Sequence, residues 1–158
     1  MNIETERKFL VKDASYKEAA VRSYRIAQGY IAHDGGNTVR VRIRDNEGFL
    51  TIKGPSLDGI SRQEWEKLIP LQDAEELMGL CHGGIIDKTR YIVPAAGELF
   101  FEVDEFHGDN EGLVMAEIEL PFPDTLFNRP AWLGSEVTGD KRYYNSYLTR
   151  VPYKDWSA

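Results

Sequence analysis

Charged residues recur through the sequence in short rows at a spacing of two. Glu4, Glu6 and Lys8 open the chain; Arg40 and Arg42, Glu64 and Glu66, Lys88 and Arg90, Glu102 and Asp104, and Glu117 and Glu119 follow, with Lys53 on its own. Sets of carboxylates suit a hard divalent cation such as Mg²⁺ or Mn²⁺, while guanidinium and ammonium groups grip phosphate oxygens through charge-assisted hydrogen bonds. Either set alone is ambiguous. Together they suit a polyanion that carries a divalent metal. Hydrolysis of such a ligand needs a water at the terminal phosphorus, a metal or base to activate it, and cations to stabilise the phosphoryl oxygens. The glycine-rich phosphate loops G-x-x-x-x-G-K-S/T and G-x-G-x-x-G do not occur in the sequence, so side chains must hold the phosphates.

Residues two apart share one face of a strand, because successive strand side chains point to opposite sides. The residues between the charges are largely apolar: Val39, Val41 and Ile43, then Ile52, Trp65, Tyr91, Phe101, Val103, Ala116, Ile118 and Leu120. Any one charged row reads simply as the solvent side of an amphipathic strand. Taken together they are harder to explain so, since like charges about 7 Å apart repel and soluble surfaces usually intersperse signs. The rows become favourable when acidic and basic ones face each other across a shared cavity. A closed antiparallel barrel of about eight strands supplies that cavity and removes the exposed sheet edges. The expected fold is therefore mainly β (α+β): a closed eight-stranded antiparallel β-barrel tunnel with a charged interior. A few helices pack outside against the apolar faces, including a C-terminal helix.

Period-two patterning places strands at about 2–11, 26–33, 37–44, 48–54, 62–70, 86–93, 98–106 and 113–121. "RDNEG" at 44–48 reads as a tight hairpin with Asn46 and Gly48 available for positive φ, and "GPSLDG" at 54–59 as a looser turn. Helical pieces are expected at "DASYKEAAVRSY" with Asp13 or Ser15 as cap, at "PLQDAEELMGL" ending at Gly79, near 123–133, and from about 140 to 149. No repeat or linker divides the chain, so 1–158 reads as a single domain of 158 residues.

The net charge of −7 argues against a general affinity for nucleic acid, which needs a basic surface. No apolar run approaches the roughly 20 residues that span a bilayer, and the chain opens on charges rather than a signal-peptide core. With Cys81 as the one cysteine, no internal disulfide is available, and a reducing cytoplasmic location is expected. His33, His82 and His107 lack ligand-type neighbours at metal-binding spacing and read as surface histidines. Trp132 and Trp156 read as packing residues on helices, and Trp65 as part of the outer apolar layer.

The ordered set of motifs, E-x-E-x-K (Glu4, Glu6, Lys8), R-x-R leading to "LTIKG" (Arg40, Arg42, Lys53), "SRQEWE", "KTRY", "FEVDEF", "AEIEL" and "VTGDKRYYN", resembles the CYTH domain of the triphosphate tunnel metalloenzyme superfamily over essentially the whole chain. Among its members the inorganic triphosphatase branch is the most similar. The resemblance implies an eight-stranded tunnel that acts on triphosphates with Mg²⁺ or Mn²⁺. It further implies that Glu4, Glu6, Glu117 and Glu119 bind metal, with Glu64, Glu66, Glu102 and Asp104 as direct or water-mediated ligands. Arg40, Arg42, Lys53, Lys88 and Arg90 would hold the phosphates, joined by Arg142 at the family's basic position; Lys141 stands where proline is frequent. "QGYI" resembles the segment that sets a tyrosine beside the E-x-E-x-K lysine, so Lys8 and Tyr30 are the expected pair at the reacting phosphate. Tyrosine ordinarily titrates near 10, so a neighbouring ammonium would have to lower it before the phenolate could take a proton from water.

The leading expectation is a hydrolase that converts tripolyphosphate to pyrophosphate and phosphate. The alternatives are a class IV-type adenylyl cyclase or an organic triphosphatase acting on thiamine or nucleoside triphosphate, and a non-catalytic polyphosphate- or nucleotide-binding module. The partner expected is the small-molecule triphosphate, with no nucleic acid and no membrane. A homodimer is the natural way to bury any apolar strip that the helices leave uncovered.

Overall fold

The computed structural model describes residues 2–156. Nine strands form one antiparallel sheet: β1 Asn2–Val11, β2 Arg22–Asp34, β3 Asn37–Arg44, β4 Glu47–Ser56, β5 Ser61–Ile69, β6 His82–Pro94, β7 Phe100–Phe106, β8 Val114–Glu119 and β9 Leu133–Glu136. Their order is β5-β4-β3-β2-β6-β7-β8-β1-β9, and a further pairing of β5 with β1 closes eight of them into a barrel. One edge of β1 serves two partners. Its first residues, Asn2–Thr5, pair with Ser61–Glu64 and close the ring, while Phe9 and Val11 pair with β9. In the ring β2 lies four strands from β1, on the opposite wall.

Directly opposed residues of antiparallel strands share a face. Lys8 opposes Glu117, Glu6 opposes Glu119, Arg90 opposes Asp104, Lys53 opposes Glu64, and Tyr30 opposes Arg40. The charged rows thus all turn inward, and the apolar residues between them turn outward. Phe9, Phe101, Val103, Ala116 and Ile118 form the outer core on one side, where Tyr16 of α1 (Tyr16–Ala19), Trp132 and Phe127 cover them. On the other side α2 (Leu71–Met78) lies across β2, β3 and β4. Gly48 faces Ala74 there: a Cβ would come within 2.7 Å of the alanine methyl, so the glycine serves helix packing. Ile3, Ile52 and Trp65 stay partly exposed as an outer apolar strip.

Several expectations need correction. The helix expected near 123–133 does not form; those residues run without regular structure over the outer core and lead into β9, a strand whose Gly134 and Ser135 offer no period-two signal. The first helix is one turn, because β2 begins at Arg22. The C-terminal helix is broken into a 3₁₀ turn, Lys141–Tyr143, and the short α3, Asn145–Leu148. In the first hairpin the positive φ falls on Asp45, at 52°, and not on Asn46 or Gly48. The second turn is shorter than the expected 54–59, because β4 runs on to Ser56; Gly59 sits in it at φ 94°, and the Asp58 carboxylate accepts from the Ile60 and Ser61 amides. No helix of the described residues is long and apolar enough to cross a membrane.

Candidate functional site

The barrel encloses a cavity of about 570 Å³. Its lining runs from Val21, Arg22, Tyr24 and Phe100 at one rim to Gly59, Ile60, Gly139 and Ser146 at the other. Glu4, Glu6, Lys8, Tyr30, Arg40, Arg42, Lys53, Glu64, Glu66, Lys88, Arg90, Glu102, Glu117 and Glu119 all face it. Two candidates do not. Asp104 is 1% exposed and lies behind the cations it pairs with. Arg142 is exposed, ion-pairs with Asp140 at 2.8 Å and stacks over Tyr143 and Trp156; Lys141 likewise stays on the surface. The 3₁₀ turn directs both away from the lumen.

Around Asp104 the charges neutralise one another. Arg90 binds it with two hydrogen bonds of 2.8 and 2.9 Å, and Lys88 Nζ lies 2.8 Å from its second oxygen. Burial works to raise the Asp104 carboxyl, but Arg90 and Lys88 outweigh it and hold the group below the ordinary carboxylate range. Arg90 also reaches Glu102 at 2.9 Å. Burial pulls Lys88 down to about 7 despite Asp104, and Arg90 and Arg42 add to the fall. Burial together with Arg40 and Arg90 brings Arg42 down to about 9. These cations are crowded and desolvated, so an anion between them would be strongly attracted. The buried Arg40 Nε has no partner among the described residues and offers a further donor, while Arg40 Nη2 reaches Glu66 at 3.4 Å.

Around Glu6 the balance is reversed. Burial and the neighbouring Glu117 push Glu6 well above the usual carboxylate range. Burial and Glu4 raise Glu64 to about 7, and burial with Glu4 and Glu102 raises Glu119. Lys53, 2.6 Å from Glu4 and 3.6 Å from Glu64, overcomes burial at Glu4, and Lys8 and Arg90 overcome it at Glu117, so these two carboxyls are lowered. Lys8 sits at the boundary, with Nζ 3.5 Å from Glu117 and donating to the Tyr143 carbonyl at 3.2 Å. Burial opposes its charge, yet Glu117 and Glu6 raise it, so Lys8 remains an ammonium.

Carboxylates this poorly neutralised fit a hard divalent cation by donor type and charge. Among the described residues no three acidic, histidine or cysteine side chains converge into a ready cage. That suits an ion such as Mg²⁺, which takes one or two carboxylates and completes its shell with waters and substrate phosphates.

The histidines stay outside the cavity: His33 and His82 are exposed, and half-buried His107 hydrogen-bonds Thr89 at 2.7 Å. Trp132 packs on Tyr16 and Phe101, and Trp156 on Tyr143 and Tyr153. Sequence reasoning missed several wall residues. Gln28, Arg44, Thr51 and Arg62 each lie two positions from a residue already singled out, so extending the period would have found them. Asn145 and Tyr144 come from the C-terminal segment and carried no such signal.

A family model, that of the CYTH domain, matches residues 2–146. An inorganic triphosphatase of Acetivibrio thermocellus is 48% identical over 157 residues, 99% of each chain. A second, from Nitrosomonas europaea, is 36% identical over 148 residues, covering 92% of this chain and 95% of the other. A crystal structure of an inorganic triphosphatase superposes with a TM-score of 0.66 at 33% identity, over 92% of this chain and 97% of that one.

Proposed function

The chain belongs to the CYTH domain family, and from that premise we propose that it is an inorganic triphosphatase, converting tripolyphosphate and water to pyrophosphate and phosphate. The observation that carries this reading is one enclosed cavity into which both a desolvated set of cations and an under-neutralised set of carboxylates point. Relatives named for the same activity across nearly their whole length support it.

In this reading Arg40, Arg42, Lys53, Lys88 and Arg90 bind the phosphate oxygens. Asp104 acts from behind, holding Arg90 and Lys88 in place. Enzymes of the family generally depend on a metal ion; here one or two carboxylates of the set Glu4, Glu6, Glu64, Glu117 and Glu119 would hold Mg²⁺ or Mn²⁺ directly, and the others, with Glu66 and Glu102, would reach it through water. Bound there, the ion supplies charge neutralisation at the phosphate oxygens and acidifies a coordinated water. Lys8 and Tyr30 form the reacting pair on facing walls. The Lys8 ammonium stabilises negative charge on the terminal phosphoryl group, and the Tyr30 hydroxyl accepts a hydrogen bond from the attacking water, whose proton leaves with the pyrophosphate. The new P–O bond forms as the bridging P–O bond breaks, and pyrophosphate leaves. The reading extends to a cytoplasmic protein and to a homodimer closing on Ile3, Ile52 and Trp65, which light scattering tests.

The test is incubation with Mg²⁺ or Mn²⁺ and, separately, tripolyphosphate, ATP and thiamine triphosphate. Phosphate should appear fastest from tripolyphosphate and stop on chelation. Cyclic AMP with pyrophosphate from ATP, or tight binding without products, would replace this reading with a cyclase or a binding module. Lys8→Ala should lower turnover about 10²- to 10⁴-fold and leave calorimetric Mn²⁺ binding in place; unchanged turnover in both Lys8→Ala and Tyr30→Phe would remove that pair from the mechanism.

A further inference from the structure

Two buried amides link the basic wall of the tunnel to the C-terminal segment. Arg42 Nε donates to Gln28 Oε1 at 2.9 Å, Gln28 Nε2 donates to Asn145 Oδ1 at 3.0 Å, and Lys88 Nζ donates to that same Oδ1 at 2.9 Å. Guanidinium and ammonium groups only donate, whereas an amide side chain both donates and accepts. Arg42 at one end therefore requires the Gln28 oxygen, which turns the Gln28 nitrogen toward Asn145 and requires the Asn145 oxygen. Lys88 at the other end requires the same oxygen. The polarity of the chain is set from both ends, and flipping either amide would face a buried donor with another donor. Gln28 and Lys88 are each 1% exposed and Asn145 is 8% exposed, which leaves little water to take a lost partner's place.

Asn145 does not belong to the barrel. It is the first residue of α3, whose Leu148 packs among Ile86, Phe106 and Met115. The Thr149 carbonyl accepts from the Gly84 amide at 2.7 Å. At Gly83, with φ 75°, a Cβ would stand 2.6 Å from that same carbonyl oxygen, so a glycine is needed for the segment to seat.

We propose that Asn145 is a positioning residue for phosphate binding. Through its side-chain oxygen, and through Gln28, it fixes Lys88 and Arg42 in the orientations in which both address one substrate. The inference rests on the reading of Lys88 and Arg42 as phosphate ligands. Long basic side chains lose rotamer entropy when they bind, and a fixed hydrogen-bond partner removes that cost before the substrate arrives. On this account α3 is part of the binding apparatus as well as a cover over Ile86, Phe106 and Met115.

The test compares wild type, Asn145→Leu, Gln28→Leu and the double variant in steady-state tripolyphosphate hydrolysis with Mn²⁺, alongside thermal denaturation. Each single variant should lower kcat/KM about 10- to 100-fold, mostly through KM, measured well below a melting midpoint that falls by roughly 2–8 °C as a buried donor loses its acceptor. The double variant should lose no more than the worse single one, because both act on one hydrogen-bonded chain. Should Asn145→Leu fail to fold, Asn145→Ser, whose hydroxyl falls short of Lys88, carries the same expectations. An unchanged KM, or losses that multiply in the double variant, would overturn the role of Asn145. Wild-type protein that neither binds nor hydrolyses tripolyphosphate would instead overturn the triphosphatase reading.

Discussion

Around Asp104 each carboxylate oxygen has a cation beside it, and the Arg90 and Lys88 contacts are all within 2.9 Å. Around Glu6, in the same tunnel, the carboxyls of Glu6, Glu64 and Glu119 are all raised by burial and by neighbouring carboxylates, Glu4 above all for Glu64 and Glu119 and Glu117 for Glu6, and Lys53 only partly offsets this. Both regions are rows of charge with the same spacing on adjoining strands. Inward charge thus has two uses: in the first region the carboxylate is already satisfied and holds its cations in place for an anion, and the second region is left short of positive charge.

The largest effect is expected at Asp104. Replacing it with alanine leaves two buried cations without their shared partner and should cost about 3–5 kcal/mol, read as a large fall in the denaturation midpoint. Glu6→Gln should do the opposite to the metal-free protein, holding or raising its stability while lowering metal-dependent turnover about tenfold or more. Equal destabilisation by the two variants would erase the distinction.

A pH series sharpens it further. The folded pKa of Glu64, about 7, lies above its unfolded value near 4.3, so the folded state binds the extra proton and stability is lost as pH rises through that interval. Glu64→Gln should therefore match wild type at about pH 4 and melt higher at about pH 8 in chelator; a difference that grows on acidification would contradict the sign. The smallest effect is expected outside the barrel. Arg7 and then burial act on Glu136, whose net pKa is lowered, so the contribution of that surface pair is present near neutrality and lost as pH falls. Glu136→Gln should cost well under about 1 kcal/mol at pH 7 and nothing in acid, measured by denaturant titration.

Much of the barrel is legible in the sequence because period-two alternation is a local property. Val39, Val41 and Ile43 against Arg40 and Arg42 already say that one face is apolar and the other charged. The failures lie where local pattern is silent. The segment before β9 carries Pro123 and Pro130, which argue against the helix expected there; Phe127 and Trp132 are wanted on the outer core, and an extended path delivers them. Arg142 matches a basic position by motif, yet a 3₁₀ turn capped by Asp140 carries it outside.

Alternation and turn chemistry act between neighbours, so the residue types alone determined that strands carry charge on one side, that turns fall near Asp45 and Gly59, and that phosphate and metal chemistry is available. The rows taken together already pointed that side inward; tertiary structure alone decided how the barrel shuts around it, because closure joins Asn2–Thr5 to Ser61–Glu64 across more than fifty residues of chain. It also decided which carboxylates meet a cation. Asp104 finds Lys88 and Arg90 and Glu6 finds Glu119 by strand register, and Asn145 reaches Lys88 and Gln28 only after α3 docks, contacts whose geometry depends on the assembled barrel.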